Sequence, residues 1–152
     1  MALGGADELG GYAVEEQVGF LLRRAQQRHA ALFQEAMEPH GLTPTQFTAL
    51  IKIVGLGRVT QNHLGRLAAM DPATIQGVVR RLIARGLVAR ARDPLDARMA
   101  VLAPTEAGCA LAALVVGPAV RITEATLRPL NADERLVFLS LLRRLAAPQE
   151  ID

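Results

Sequence analysis

The side chains best suited to chemistry in this chain are hydrogen-bonding and cationic, and one short segment concentrates them. From Asp71 to Arg85, the apolar residues Ile75, Val78, Val79, Leu82 and Ile83 recur at helical spacing. That leaves Ala73, Thr74, Gln76, Gly77, Arg80 and Arg81 on the opposite face. Thr74 and Gln76 can hydrogen-bond base edges, Gln suiting adenine bidentately. Ala73 and Gly77 are small enough for close backbone approach, while Arg80 and Arg81, further along, suit phosphates. Any one of these residues fits an ordinary solvated helix face equally well. As a group they favour duplex DNA.

His29 is the second candidate. It falls on an apolar stripe made by Val18, Leu21, Leu22, Ala25, Leu32, Phe33 and Ala36. An imidazole there is either a satisfied core residue or, facing a cleft, a partner for a ring hydroxyl or carboxylate. Arg23, Arg24 and Arg28 are the nearby cations for a carboxylate, and Gln46 and Phe47 begin a helix able to face them. Cys109 lies in the apolar run CALAALVV without an adjacent cation, so it reads as an inert buried thiol rather than a peroxide sensor. Among His29, His40, His63 and Cys109 no two stand three or four residues apart, and no CxxC or HxxxH occurs, so no metal is expected. Nucleophile elbow, phosphate-cradling glycine loop and paired-His site are all missing from the sequence. The chain reads as a non-enzyme without a cofactor.

The charge distribution supports the first candidate. Seventeen basic and fifteen acidic residues leave a net charge of only +2 over 152 residues. By segment the balance is −2 for residues 1–55, +5 for 56–103 and −1 for 104–152. The middle third, with Arg58, Arg66, Arg80, Arg81, Arg85, Arg90, Arg92 and Arg98, holds the whole excess, as a phosphate-facing surface requires. Five aromatics and no Trp argue against a single-strand binder built on stacking platforms. The length suits a single domain, residues 1–152, and 51% apolar content is enough for a core. One cysteine permits no internal disulfide and favours a reducing compartment. The opening MALGGADELGG lacks the order of a signal peptide, and the 14 uncharged residues Ala107–Val120 are too few to span a bilayer. A soluble cytoplasmic protein without membrane contact is expected.

The elements that must carry these residues are well punctuated. A long amphipathic helix is expected over 13–38, ended by Pro39 and Gly41. Thr43-Pro44-Thr45-Gln46 is a capping box opening a helix to about Val54, stopped by Gly55 and Gly57. Thr60 caps a short helix, 61–69, with Leu64, Leu67 and Ala68 inward, and Asp71-Pro72 opens another to Arg85, closed by Gly86. Leu87–Ala91 and Met99–Ala103 read as a hairpin around Arg92–Arg98. Thr105 caps a helix that Pro118 should kink, running to about Leu127. Asn131-Ala132-Asp133-Glu134 opens a last helix, 132–146, apolar nearly all round and so in need of a second subunit. The fold class is therefore mainly α with a small β-hairpin wing. A winged helix-turn-helix, 43–103, stands between dimerisation helices at 13–38 and 105–147.

Three stretches carry a family resemblance: LTPTQFTAL, HLGRLAAMDPATIQGVVRRLIARGLVAR and the wing DPLDARMAVLAPTEAG. Residues 13–147 resemble a MarR-family transcriptional regulator, a dimeric winged-helix protein. The resemblance implies Arg98 as a finger for the minor groove, whose concentrated negative potential attracts arginine, with Asp96 as its orienter. Where many relatives carry a basic residue in the recognition helix, this chain has Gly77. The resemblance also implies a homodimer on a pseudo-palindromic operator, acting as a repressor and released by a small aromatic carboxylate. EEQVGFLLRRAQQRHAALF and TQNHLGRLAAMD are similar to repressors of nicotinate degradation that respond to 6-hydroxynicotinate. The alternatives are a winged-helix protein–protein module or a redox- or metal-responsive regulator. Salt dependence separates the first of these, because phosphate contacts make duplex affinity fall steeply with salt.

Overall fold

The computed structural model describes residues 9–147; the first part of the acidic opening, residues 1–8, lies outside the described residues. Among the described residues six α-helices and one hairpin follow in order: α1 (Val18–Met37), α2 (Pro44–Leu56), α3 (Gln61–Leu67), α4 (Pro72–Ala84), β1 (Val88–Arg92), β2 (Ala100–Pro104), α5 (Glu106–Thr126) and α6 (Ala132–Ala146). Short 3-10 turns at Val14–Glu16 and Glu38–His40 flank α1. The mainly helical winged helix-turn-helix expected from the sequence is the observed fold.

Capping explains why the helices begin where they do. Thr43 and Gln46 form the capping box of α2 with Pro44 in its first turn, and Asn131 with Glu134 does the same for α6. Thr60, Asp71 and Thr105 each accept the backbone N–H three residues on, opening α3, α4 and α5. No side chain caps α1. Its α-helical run starts at Val18, five residues later than the periodicity suggests.

The ends differ more. α2 runs through Gly55 and stops only at Gly57, whose φ is 75°. α3 stops at Leu67, two residues early, because the Met70 N–H returns to the Gly65 carbonyl and Ala69 adopts a φ of 53°. That turn tips Leu67 into solvent, where periodicity had placed it inward. The strands each begin one residue later than expected. Leu87 gives its N–H to the Leu82 carbonyl in closing α4, so pairing starts at Val88↔Pro104 and ends at Arg92↔Ala100. Val59, between α2 and α3, exchanges two backbone hydrogen bonds with Leu102 of 3.1 and 2.7 Å and adds a third edge to the hairpin.

α5 continues as one helix through Pro118. Its 21 residues are long and apolar enough to cross a membrane by length and composition, although the longest uncharged run is shorter. Its inward stripe is Gly108, Ala112, Val115 and Ile122. One residue on from Gly108 turns the helix by about 100°, so Cys109 is exposed rather than buried. The core joins this stripe to Phe33 and Met37 of α1, Leu50 and Ile53 of α2, Leu64 of α3, Ile75, Val79 and Leu82 of α4, and Leu102 of β2. Elsewhere the apolar faces are open. Val18, Leu21 and Leu22 of α1, and Leu136, Val137, Phe138, Leu141 and Leu145 of α6, are exposed, and α6 buries no residue in the single chain.

Candidate nucleic-acid interface and effector cleft

α4 presents Ala73, Thr74, Gln76, Arg80 and Arg81 to solvent, with Gly77 half-buried among them. Ile75, Val78, Val79 and Leu82 hold the other face in the core. The N-terminus of the helix is tightly tied. Asp71 accepts the Thr74 N–H at 2.8 Å and the Thr74 hydroxyl at 2.9 Å. These two bonds hold the Asp71 carboxyl below the usual carboxylate range. Thr74 thus gives its only hydroxyl hydrogen to the cap and offers a base edge acceptor lone pairs alone. Gln76, Arg80 and Arg81 make no side-chain hydrogen bond among the described residues.

The wing tip is built by contacts over a few residues. Asp93 accepts the Leu95 N–H at 2.8 Å, and the Met99 N–H closes on the Asp96 carbonyl at 3.0 Å. Asp96 then accepts from Arg98 three times: backbone N–H at 3.1 Å, Nε at 3.1 Å and Nη2 at 3.4 Å. These bonds hold the Asp96 carboxyl low. The Arg98 side chain is 91% exposed and that of Asp96 37% exposed, so the guanidinium projects while its root is clamped. Arg92 donates to the Ala97 carbonyl at 2.9 Å and braces the tip from the strand. A shallow basic groove of about 390 Å³ runs past Arg90, Arg92 and Arg98. Arg90 reaches Gln61 at 3.1 Å and ties the wing to the start of α3.

The second site lies where α1 crosses the winged helix. A cavity of about 240 Å³ is lined by His29 and Phe33 of α1, Pro44, Phe47 and Thr48 of α2, and Ala119, Ile122 and Thr123 of α5. A larger one, about 360 Å³, lies between α1, the end of α5 and α6, against Leu22, Gln26, Thr126 and Phe138. His29 and Thr123 line both. Phe33 and Phe47 meet edge to face, with centroids 5.8 Å apart, and form an apolar wall.

The other sequence candidates for this site lie elsewhere. Gln46 is 8% exposed and serves the α2 capping box, outside both linings. Arg23 stacks over Phe20 at 5.3 Å, and Arg24 is exposed on α1. Arg28 donates to the carbonyls of Ala125 and Thr126 at 2.7 and 2.6 Å, binding α1 to the last turn of α5, where a helix favours a cation. No arginine lines either cavity. Thr48, Thr123 and Thr126 were missed by sequence reasoning, because the side chains that share their cavities come from other helices.

A helix-turn-helix whose second helix exposes a polar face, followed by a basic wing, defines a winged-helix DNA-binding regulator. Over residues 40–99 the chain matches the model of the MarR family. It is 42% identical over 139 residues to the HTH-type transcriptional repressor NicR of Pseudomonas putida, an alignment spanning 91% of this chain and 88% of that protein. A probable transcriptional regulator from Pseudomonas aeruginosa has a similar structure, with a TM-score of 0.83 at 44% identity, covering 88% of this chain and 99% of that one. Bordetella bronchiseptica BpsR, whose DNA binding is regulated by 6-hydroxynicotinic acid, gives a TM-score of 0.85 at 39% identity, covering 91% and 99%. The chain belongs to the MarR family, a family of transcriptional regulators and not of enzymes.

Proposed function

We propose that the chain is a homodimeric repressor that binds a pseudo-palindromic operator and releases it on binding a small aromatic carboxylate, 6-hydroxynicotinate or a close analogue. In each protomer α4 enters a major groove, Gln76 and Thr74 near base edges and Arg80, Arg81 and Arg92 near phosphates. Arg98, steadied by Asp96, enters the flanking minor groove. The open apolar faces of α1 and α6 support dimerisation, since a second copy is the economical cover for them. Such a protein works where the chromosome is, in the cytoplasm.

The observation that carries the effector half is the position of His29, on the wall common to both cavities and between the α1 arm and the winged helix. An aromatic ring fits against Phe33 and Phe47. A carboxylate finds hydroxyl donors in Thr48 and Thr123, beside the positive end of α2. Release then follows if the effector binds more tightly to dimers whose α4 helices are not spaced for the two half-sites. The test is an anisotropy titration of a duplex selected in vitro by the protein, with and without 6-hydroxynicotinate. His29→Ala is expected to leave duplex affinity unchanged and to weaken the effector response roughly tenfold or more. An equal response in the variant would remove His29 from the effector site.

A further inference from the structure

The hydrogen bonds around His29 carry an assignment that its position alone does not. His29 Nδ1 lies 2.9 Å from the Thr126 hydroxyl oxygen. That same oxygen lies 2.8 Å from the Ile122 carbonyl, one helical turn back on α5. A hydroxyl has one hydrogen, and a carbonyl oxygen can only accept. If the hydrogen pointed at His29, two oxygen lone pairs would face each other at hydrogen-bond distance with nothing between them. The Thr126 hydrogen therefore goes to Ile122, and the Nδ1 position must supply the hydrogen for the second bond. In a neutral imidazole with its proton on Nδ1, Nε2 carries a bare lone pair. Nε2 has no partner among the described residues, and the ring lines both cavities.

We propose that Thr126 holds His29 in the Nδ1-protonated form, so that Nε2 selects effectors that present a hydrogen-bond donor on the ring. This rests on the effector reading above. Against the singly protonated ring a carboxylate oxygen at Nε2 meets lone pair with lone pair unless a second proton is taken up, so a neutral donor is favoured over the carboxylate at this position. The favoured pose places the carboxylate toward Thr48 and Thr123 and a hydroxyl or lactam N–H against His29. A hydroxylated nicotinate with donor and carboxylate at opposite ends of the ring satisfies both; nicotinate itself leaves Nε2 without a partner. Arg28 fixes the frame, since its two bonds to the last turn of α5 hold α1 in register with Thr126. Thr126 is thus a positioning residue, acting on the effector through His29.

The relay is read directly by nitrogen NMR of the imidazoles, with the His29 signals identified by their loss in His29→Gln. In the unliganded dimer His29 is expected to carry its proton on Nδ1. Protonation on Nε2 alone, or on both nitrogens, overturns the assignment. Thr126→Val removes the acceptor and is expected to move the proton to Nε2, whereas Thr126→Ser restores the original pattern; unchanged signals in Thr126→Val overturn the role of Thr126. Calorimetry with 6-hydroxynicotinate and nicotinate then reads selectivity. The wild type should prefer the hydroxylated acid by roughly ten- to a hundredfold, Thr126→Ser should keep that ratio, and Thr126→Val should reduce it to a few fold. Equal affinities in the wild type overturn the selection step. Failure of both acids to bind, with the proton still on Nδ1, overturns the effector reading and leaves the relay standing.

Discussion

The proposed DNA face and the proposed effector cleft are built on opposite plans. Every side-chain contact that shapes the wing tip and the start of α4 is local: Asp71 to Thr74 spans three residues, Asp96 to Arg98 two, and Arg92 to Ala97 five. The cleft is held by contacts between residues far apart in the chain, His29 to Thr126 spanning 97 residues and Arg28 to Thr126 spanning 98. A local clamp survives small shifts of the body that carries it, so the start of α4 and the wing tip can keep their shape when that body shifts. A long-range clamp breaks or re-forms when two helices slide, which suits a site whose occupancy must change the relation between arm and winged helix.

The seam between the two regions is the place to break the comparison outright. A Cβ on Gly108 would stand 2.0 Å from the Leu87 carbonyl oxygen and 3.0 Å from its carbon, both backbone atoms at the start of the wing. Gly108→Ala must therefore push α5 away from the winged helix. Thermal unfolding is expected to show a loss of roughly 3 kcal/mol, the upper end for overpacking. Retained stability would mean that arm and wing are only loosely joined.

Arg98→Ala tests the reader alone. Specific duplex affinity should fall by roughly 1–3 kcal/mol while the dimer and the effector response remain, checked by anisotropy and light scattering. Asp96→Asn should cause a smaller loss in the same direction, because the guanidinium stays and only its clamp weakens.

Acid sharpens the contrast further. The Asp71 carboxyl is held below its ordinary value in the folded chain, so its cap contributes fully above about pH 3.8 and is lost as the pH falls through the lower folded value. Circular dichroism of the acid limb should therefore show Asp71→Asn less acid-sensitive than the wild type. An identical acid limb would leave the cap without weight.

The smallest expected effect is at Gly77. An added Cβ there meets only Arg81 Nη1 at 3.6 Å, an ordinary contact, so Gly77→Ala should raise stability by about 0.5–1 kcal/mol through helix propensity. If α4 approaches the groove closely at this point, duplex affinity falls while stability rises. Unchanged affinity would move Gly77 off the interface.

The local plan of the DNA face is why so much of it was legible. Caps, turn residues and the i, i+3, i+4 stripe of α4 are short-range patterns, and they placed α2, α4 and α6 within one or two residues. Misplacements arose where periodicity ran into a turn or a close packing contact. Leu67 was turned outward by the α3–α4 turn. Cys109 was exposed because Gly108, not its neighbour, has to approach Leu87. The cleft was the least legible part. His29 stood out as a polar residue on an apolar stripe, but nothing near Arg28 in sequence marks it as a clamp on α5, and nothing near Thr126 marks it as a partner of His29.

By itself the sequence determined the starts of the capped helices α2 to α6, the charge asymmetry and the polar face of α4, because a cap and a helical stripe act over a turn or two. Tertiary structure alone decided which hydroxyl meets His29 and what that hydroxyl is itself bonded to. A hydrogen-bond direction depends on every acceptor within reach, and the two that matter here, Thr126 and Ile122, arrive from the other end of the chain.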